Sequence, residues 1–225
     1  MANRTVLNVS RSELLYQGVI KDPSITRLAS GLHLFDTLLD RLSKYGAKPP
    51  DIRIEAPGPA LTDLNLVCYL TSLSASVRIH LNRIDVLFQD ARLLGGPDLA
   101  GRIVLDSLDA TLEAIQDIVI DSHAITLTCH ASLEQAALDN LFSQYVHVPQ
   151  GTDPILNRGV GYYFGPSGKR KESSLVLDKS VLIPGGLFLK VACVLDGSTV
   201  SLQELVTTAR DSVEGLLRHF GLELK

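Results

Sequence analysis

Cysteine is scarce in this chain, positive charge is not in excess, and long apolar runs are missing; each shortage removes a class of function. The 225 residues contain three cysteines, Cys68, Cys129 and Cys193. They lie far apart without C-x-x-C spacing, so neither a disulfide framework nor a structural zinc is expected. Each falls in an apolar, strand-like run, the setting in which a free thiol is ordinarily buried in a reducing compartment. Lys and Arg number 21 against 25 Asp and Glu, giving a net charge of −4 and a pI near 5.8. Phosphate binding draws on a basic field, so nucleic acid and anionic membrane are not expected as partners through overall charge. No run reaches the roughly 18 apolar residues that span a bilayer, and the start lacks a basic segment followed by an apolar core. The expectation is a cytoplasmic protein without a membrane partner.

The common catalytic signatures are missing too. The histidines form no H-E-x-x-H or H-x-H ligand pair, and no G-x-G-x-x-G opens a helix, so no metal and no cofactor is expected. Gly165-Pro166-Ser167-Gly168-Lys169 ends in lysine where a nucleophile elbow needs glycine. The same stretch, GYYFGPSGKR, has glycines and a lysine like a phosphate loop. That loop requires glycine five residues before the Gly-Lys pair and Ser or Thr after it, positions held here by Tyr163 and Arg170.

What is present is apolar content of 45% and a mean hydropathy of +0.18, enough for a sizeable core. The clearest unit is residues 173–225, which read as strand, turn, strand and amphipathic helix. Pro184-Gly185 supply the fixed φ and the positive φ of a type II turn. Ser201 and Glu204 form a capping box ahead of Leu202, Leu205, Val206, Ala209, Val213, Leu216, Leu217 and Phe220 at helical spacing, and Gly221 is a C-cap.

Earlier segments repeat that order more loosely. Residues 4–20 read as a hairpin or strand pair around Ser10-Arg11-Ser12. Leu34, Phe35, Leu38, Leu39, Leu42 and Tyr45 form one stripe of a helix over 30–45, ended by Gly46. Prolines bracket a short strand over 52–55, as suits an edge. Strands follow over 64–73 and 77–94, and within the second the apolar phase switches at Asn82-Arg83, which demands a bulge or tight turn. A helix over 98–117 is expected, with a strand over 102–106 as its rival. A strand over 123–131, a helix capped by Ser132 and Gln135, a loop over 146–159 and a strand over 160–164 complete the chain. The fold class is α+β: a mainly antiparallel sheet with helices on one face, in a single domain over 1–225 with pseudo-repeated strand-strand-helix halves, 1–120 and 121–225.

The terminal unit, with Leu175-Val176-Leu177-Asp178, a second strand ending in Asp196-Gly197 and a long helix, resembles a loose set of uncharacterised bacterial α+β proteins. In these, two β-rich halves each end in a helix. The resemblance covers about the last third of the chain and implies a bacterial intracellular setting; it assigns no site residue.

Two groups of residues are candidate binding sites. On the polar face of the β region, Arg78 and His80 alternate with core residues, and the phase break brings Arg83 and Asp85 to the same side. Converging Arg, His and Asp make an anion or carbonyl site, although a wet sheet face carries such charges routinely. At the expected hairpin tip, Lys169, Arg170 and Lys171 beside Tyr162, Tyr163 and Phe164 form a basic handle for single-stranded nucleic acid or an acidic partner.

The favoured function is a non-enzymatic interaction, adaptor or chaperone-like protein with a protein partner or self-association. The alternative is a small-molecule binder or enzyme using a pocket between sheet and helices, with Arg78, His80 and Asp85 as its polar set.

Overall fold

The structure is a computed structural model that describes residues 5–23, 32–60, 63–91, 97–115, 117–145 and 159–225. It opens with β1 (Thr5–Ile20), one continuous strand of 16 residues in place of the expected hairpin. The polar Ser10-Arg11-Ser12 is a bulge, not a turn. Val9 pairs with Ala131 and Arg11 with His130, so Ser10 is the extra residue. It moves the inward face from Leu7 and Val9 to Ser12, Leu14, Tyr16 and Gly18, which accounts for the phase change without reversing the chain.

Helix α1 (Leu32–Leu42) follows and tightens into a 3-10 turn over Ser43–Tyr45, and Gly46 closes it at φ +95°. A left-handed residue there favours glycine. The strands β2 (Ile52–Glu55), β3 (Asn65–Leu70), β4 (Ala75–His80) and β5 (Arg83–Phe88) then form an antiparallel meander. The expected phase break is the turn at Leu81-Asn82 between β4 and β5, and β2 is an edge strand as its prolines suggested. Helix α2 (Pro97–Ala114) is unbroken, which settles the rival strand over 102–106 in favour of the helix.

The second half repeats the order. A long strand, β6 (Ile120–Ser132), leads to helix α3 (Gln135–Tyr145), then to the meander β7 (Gly159–Phe164), β8 (Arg170–Lys179) and β9 (Leu187–Asp196), and then to helix α4 (Leu202–His219). Helices α1 and α3 have 11 residues each, and α2 and α4 have 18 each. The repeated unit is therefore strand, helix, meander, helix, longer than the strand-strand-helix expected. The 146–159 loop lies outside the described residues except for Gly159.

Both halves contribute to a single sheet ordered β2-β3-β4-β5-β1-β6-β9-β8-β7. The short β10 (Leu222–Leu224) adds in parallel to the start of β1, after Gly221 at φ +62° has ended α4. The two long strands β1 and β6 pair antiparallel at the centre, with the meanders on either side.

All four helices cover one face. Along β6 the residues His123, Ile125, Leu127, Cys129 and Ala131 point to them, in register with Gly18, Tyr16, Leu14, Ser12 and Val9 of β1. Two apolar cores result. One gathers α1 and α2 over Cys68, Val77, Ile84, Val86 and Phe88, and the other gathers α3 and the end of α4 over Leu175, Leu177, Leu189 and Val191. Among the described residues, no helix is long and apolar enough to cross a membrane.

Candidate functional site

Between the two cores, above the paired centres of β1 and β6, the helix layer leaves a cleft of about 860 Å³. Its floor carries Ser12, Leu14 and Tyr16 from β1 with Ile125, Leu127 and Cys129 from β6. Its walls are α2, through Ala100, Gly101 and Val104, and α4, through Leu205, Ala209, Val213 and Leu217. Leu14 and Leu127 are direct cross-strand partners on the helix-covered face, yet both are only partly buried. Residues at equivalent depth on either side, such as Val86 and Leu189, are fully buried. The space exists because small residues occupy the helix surfaces over the central strands. Gly101 brings the two helices together: a Cβ there would meet Val206 Cγ1 at 2.6 Å. An ion pair from Arg210 to Asp98 closes the same end.

The polar groups of the floor are few and neutral. Tyr16 OH lies 2.7 Å from Nδ1 of His123, and the pair is buried. Burial raises the Tyr16 pKa well above the usual phenol range and lowers that of His123 to about 4, so both are uncharged near neutral pH. Gly18 makes room for them, since a Cβ at that position would come within 2.8 Å of Tyr16 OH. Ser12 is 5% exposed, and its hydroxyl makes no hydrogen bond among the described residues. Burial pushes the Cys129 thiol up to about 12, which leaves it protonated and a poor nucleophile. Charge is confined to the rim, where Arg210, Glu214, Arg218, Glu223 and Lys225 mix both signs. The cleft can bury apolar surface and offer a hydroxyl at its floor.

None of these floor residues was a candidate site residue in the sequence, where Cys129 was expected only as a buried thiol. The signals were present as the alternation Ser12, Leu14, Tyr16, Gly18 and as small residues on the inward faces of α2 and α4, but a small residue on a helix marks close packing as readily as a space.

The four residues of the polar β region do come together, on the opposite face. Because Ile79 and Ile84 pair inward across the β4–β5 hairpin, Arg78, His80, Arg83 and Asp85 all point away from the helices. They therefore do not line the pocket between sheet and helices for which they were the polar set. Asp85 is the hub. Arg83 Nε donates to it at 3.0 Å and Gln17 Nε2 at 3.0 Å. His80 Nε2 lies 3.1 Å away. Burial would raise the Asp85 pKa, but these neighbours outweigh it and hold the carboxyl below its ordinary value.

The basic tip is tied down by its own chain. Lys169 Nζ reaches Glu204 Oε2 at 2.9 Å, at the first turn of α4, and Lys171 Nζ lies 3.6 Å from Asp121 and 3.9 Å from Asp196. Arg170 Nε is buried without a partner. Lys169 and Lys171 are thus paired within the chain. Asp106 accepts the Tyr45 hydroxyl and pairs with Lys44 at 2.9 Å, joining the turn after α1 to α2. Among the described residues, no group of three or more His, Cys, Asp or Glu side chains is placed to hold a metal ion.

No family model matches the chain, and no curated protein matches it. Among solved structures it is similar to the rolling circle replication initiator protein from Geobacillus stearothermophilus, with 11% identity and a TM-score of 0.39 over 92% of this chain and 83% of that one. Beside this finding, two expectations are corrected: the non-enzymatic adaptor or chaperone-like role with a protein partner or self-association, and the reading of nucleic acid as an unexpected partner. The apolar content that suggested an adaptor is also accounted for, because it fills the two cores. So distant a likeness transfers no activity to this chain.

Proposed function

We propose that this protein binds a small, largely apolar molecule in the cleft between α2 and α4. The observation that carries the reading is the partial exposure of Leu14 and Leu127, paired on the inward face at the middle of a ten-stranded sheet. Apolar surface left uncovered at that depth is the most favourable place to bury a ligand, at about 25 cal/mol per Å² of apolar area removed from water. The volume fits the range of small-molecule sites, roughly 300 to 1,000 Å³. A cytoplasmic setting fits the same reading, since three buried, unpaired thiols suit a reducing compartment.

The test is titration with the fluorescent apolar probe anilinonaphthalene sulfonate, on the native chain and on Ala209→Trp, whose indole would fill the cleft. Saturable binding to the native chain, weakened at least about tenfold in a variant with unchanged circular dichroism, supports the reading. Equal binding by both proteins overturns it.

A further inference from the structure

The outer face of the sheet carries a second, separate site. Buried side-chain polar atoms without a hydrogen bond are uncommon in folded proteins and call for an explanation. Two of them fall together here, Asn65 Oδ1 and Arg78 Nε, beside His80, whose Nε2 has its neighbour in Asp85 at 3.1 Å. Asn65 and His80 are direct cross-strand partners on β3 and β4, and Arg78 is the next residue along β4 on the same face. Register neighbours of this kind are roughly 7 to 8 Å apart on the diagonal, within reach of long side chains.

We propose that Asn65, Arg78 and His80 form a binding site for a small oxyanion that also carries an O–H group, either hydrogen phosphate or a hydroxycarboxylate. Arg78 supplies the positive charge. Among the described residues its Nε makes no hydrogen bond and its charge acts on Glu55 through space, whereas Arg83 is committed to Asp85. Two carboxylates border the patch and both are engaged by other groups: Asp85 by Arg83 and Gln17, with His80 nearby, and Glu55, the cross-strand partner of Asn65, by Arg53 and Tyr69. Asn65 is 4% exposed, and its amide is oriented by Nδ2 donating to Asp63 O at 3.2 Å, which leaves Oδ1 as an unused acceptor. A bare carboxylate would satisfy Arg78 and leave that acceptor unpaired. An oxyanion bearing a hydroxyl donates to Asn65 Oδ1 while it accepts from Arg78 Nε, with the His80 ring beside it.

The experiment is calorimetric titration of the whole chain with inorganic phosphate, glycolate and acetate, together with NMR observation of the arginine Nε–H resonances. Saturable binding of phosphate or glycolate, at least about tenfold tighter than acetate and accompanied by a shift of the Arg78 Nε–H resonance, is expected. The preferred anion identifies the source. Arg78→Gln and Asn65→Leu should each weaken that binding about tenfold or more. If neither variant folds, the resonance in the unaltered chain decides. No saturable binding of phosphate or glycolate, or binding that leaves the Arg78 resonance unmoved, overturns the proposal.

Discussion

Tyr16 OH and His123 Nδ1, 107 residues apart in the chain and 2.7 Å apart in space, are hydrogen-bonded across the central strand pair at the floor of the cleft. Both groups are buried and neutral. His123 is held at about 4, below its ordinary 6.5, because burial disfavours the imidazolium. The unfolded chain therefore binds a proton more readily than the folded one throughout that window. Stability is unaffected by this group above pH 6.5 and falls as the pH is lowered toward about 4. The full shift is worth on the order of 3 kcal/mol. Denaturant unfolding across this range should show the loss, and His123→Gln should flatten it. A slope that the variant keeps would show that other groups cause it.

The same pair predicts a cost for removing the hydroxyl. Tyr16→Phe leaves Nδ1 of a buried histidine unpaired, and such a group costs about 1 to 3 kcal/mol. The double variant with His123→Leu should be less than additive, since the second change removes the orphaned group. Strict additivity in denaturant melts would mean that the 2.7 Å contact contributes no coupling.

How much of this was legible depended on whether the signal was local. The stripe from Leu34 to Leu42, the Ser201–Glu204 capping box and the Pro184-Gly185 turn are statements about neighbours in the chain. The structure shows each one, with Gly186 N donating to Ile183 O at 2.8 Å across the turn. The Arg78, His80, Arg83 and Asp85 grouping was also legible, because the phase change at Asn82-Arg83 fixes which side each residue faces. The opening strand was not. A bulge at Ser10 and a hairpin turn change the apolar phase alike, and only the partner strand distinguishes them. The cleft was out of reach for a related reason. It is set by how α2 and α4, more than a hundred residues apart, sit over strands from both halves, and no local pattern encodes a space.

Gly101 should control that arrangement. A helical glycine replaced by alanine ordinarily gains up to about 1 kcal/mol in helix propensity. Here the new methyl would lie 2.6 Å from Val206 Cγ1 and 2.9 Å from Cγ2, both far inside ordinary contact. Overpacking of this kind costs about 1 to 3 kcal/mol, so Gly101→Ala should destabilise despite the propensity. In a Val206→Ala background the sign should reverse, because the obstacle is gone. Chemical denaturation of the four proteins in this cycle tests the idea, which would be falsified if Gly101→Ala stabilised both backgrounds.

The three thiols should be unreactive in the folded chain. Cys68, Cys129 and Cys193 are at most 1% exposed. Burial lifts Cys68 and Cys129 to about 12 and Cys193 to about 11, the last despite the nearby Arg170 cation. With access and thiolate both suppressed, a bulky maleimide should label none of them until the chain unfolds. Mass spectrometry after native labelling would show the unmodified mass. Rapid single modification at Cys129 would mean that the cleft floor opens much further than its depth allows.

The last prediction concerns whether the two repeated halves are separate bodies. They share elements instead of merely touching: β1 sends Leu7 into one core and Tyr16 into the other, and α4 likewise divides Leu205 from Leu216 and Leu217. A strand or helix that belongs to both cores cannot leave one intact when it unfolds from the other. The chain should therefore unfold in a single cooperative transition, as one domain over 1–225. Leu7→Ala and Ile84→Ala, buried in different cores, should each cost about 2 to 5 kcal/mol, and each should move the same midpoint. Hydrogen exchange should place β1 and β6 amides among the slowest of both halves. Two resolved transitions, each moved by only one of the substitutions, would establish independent halves instead.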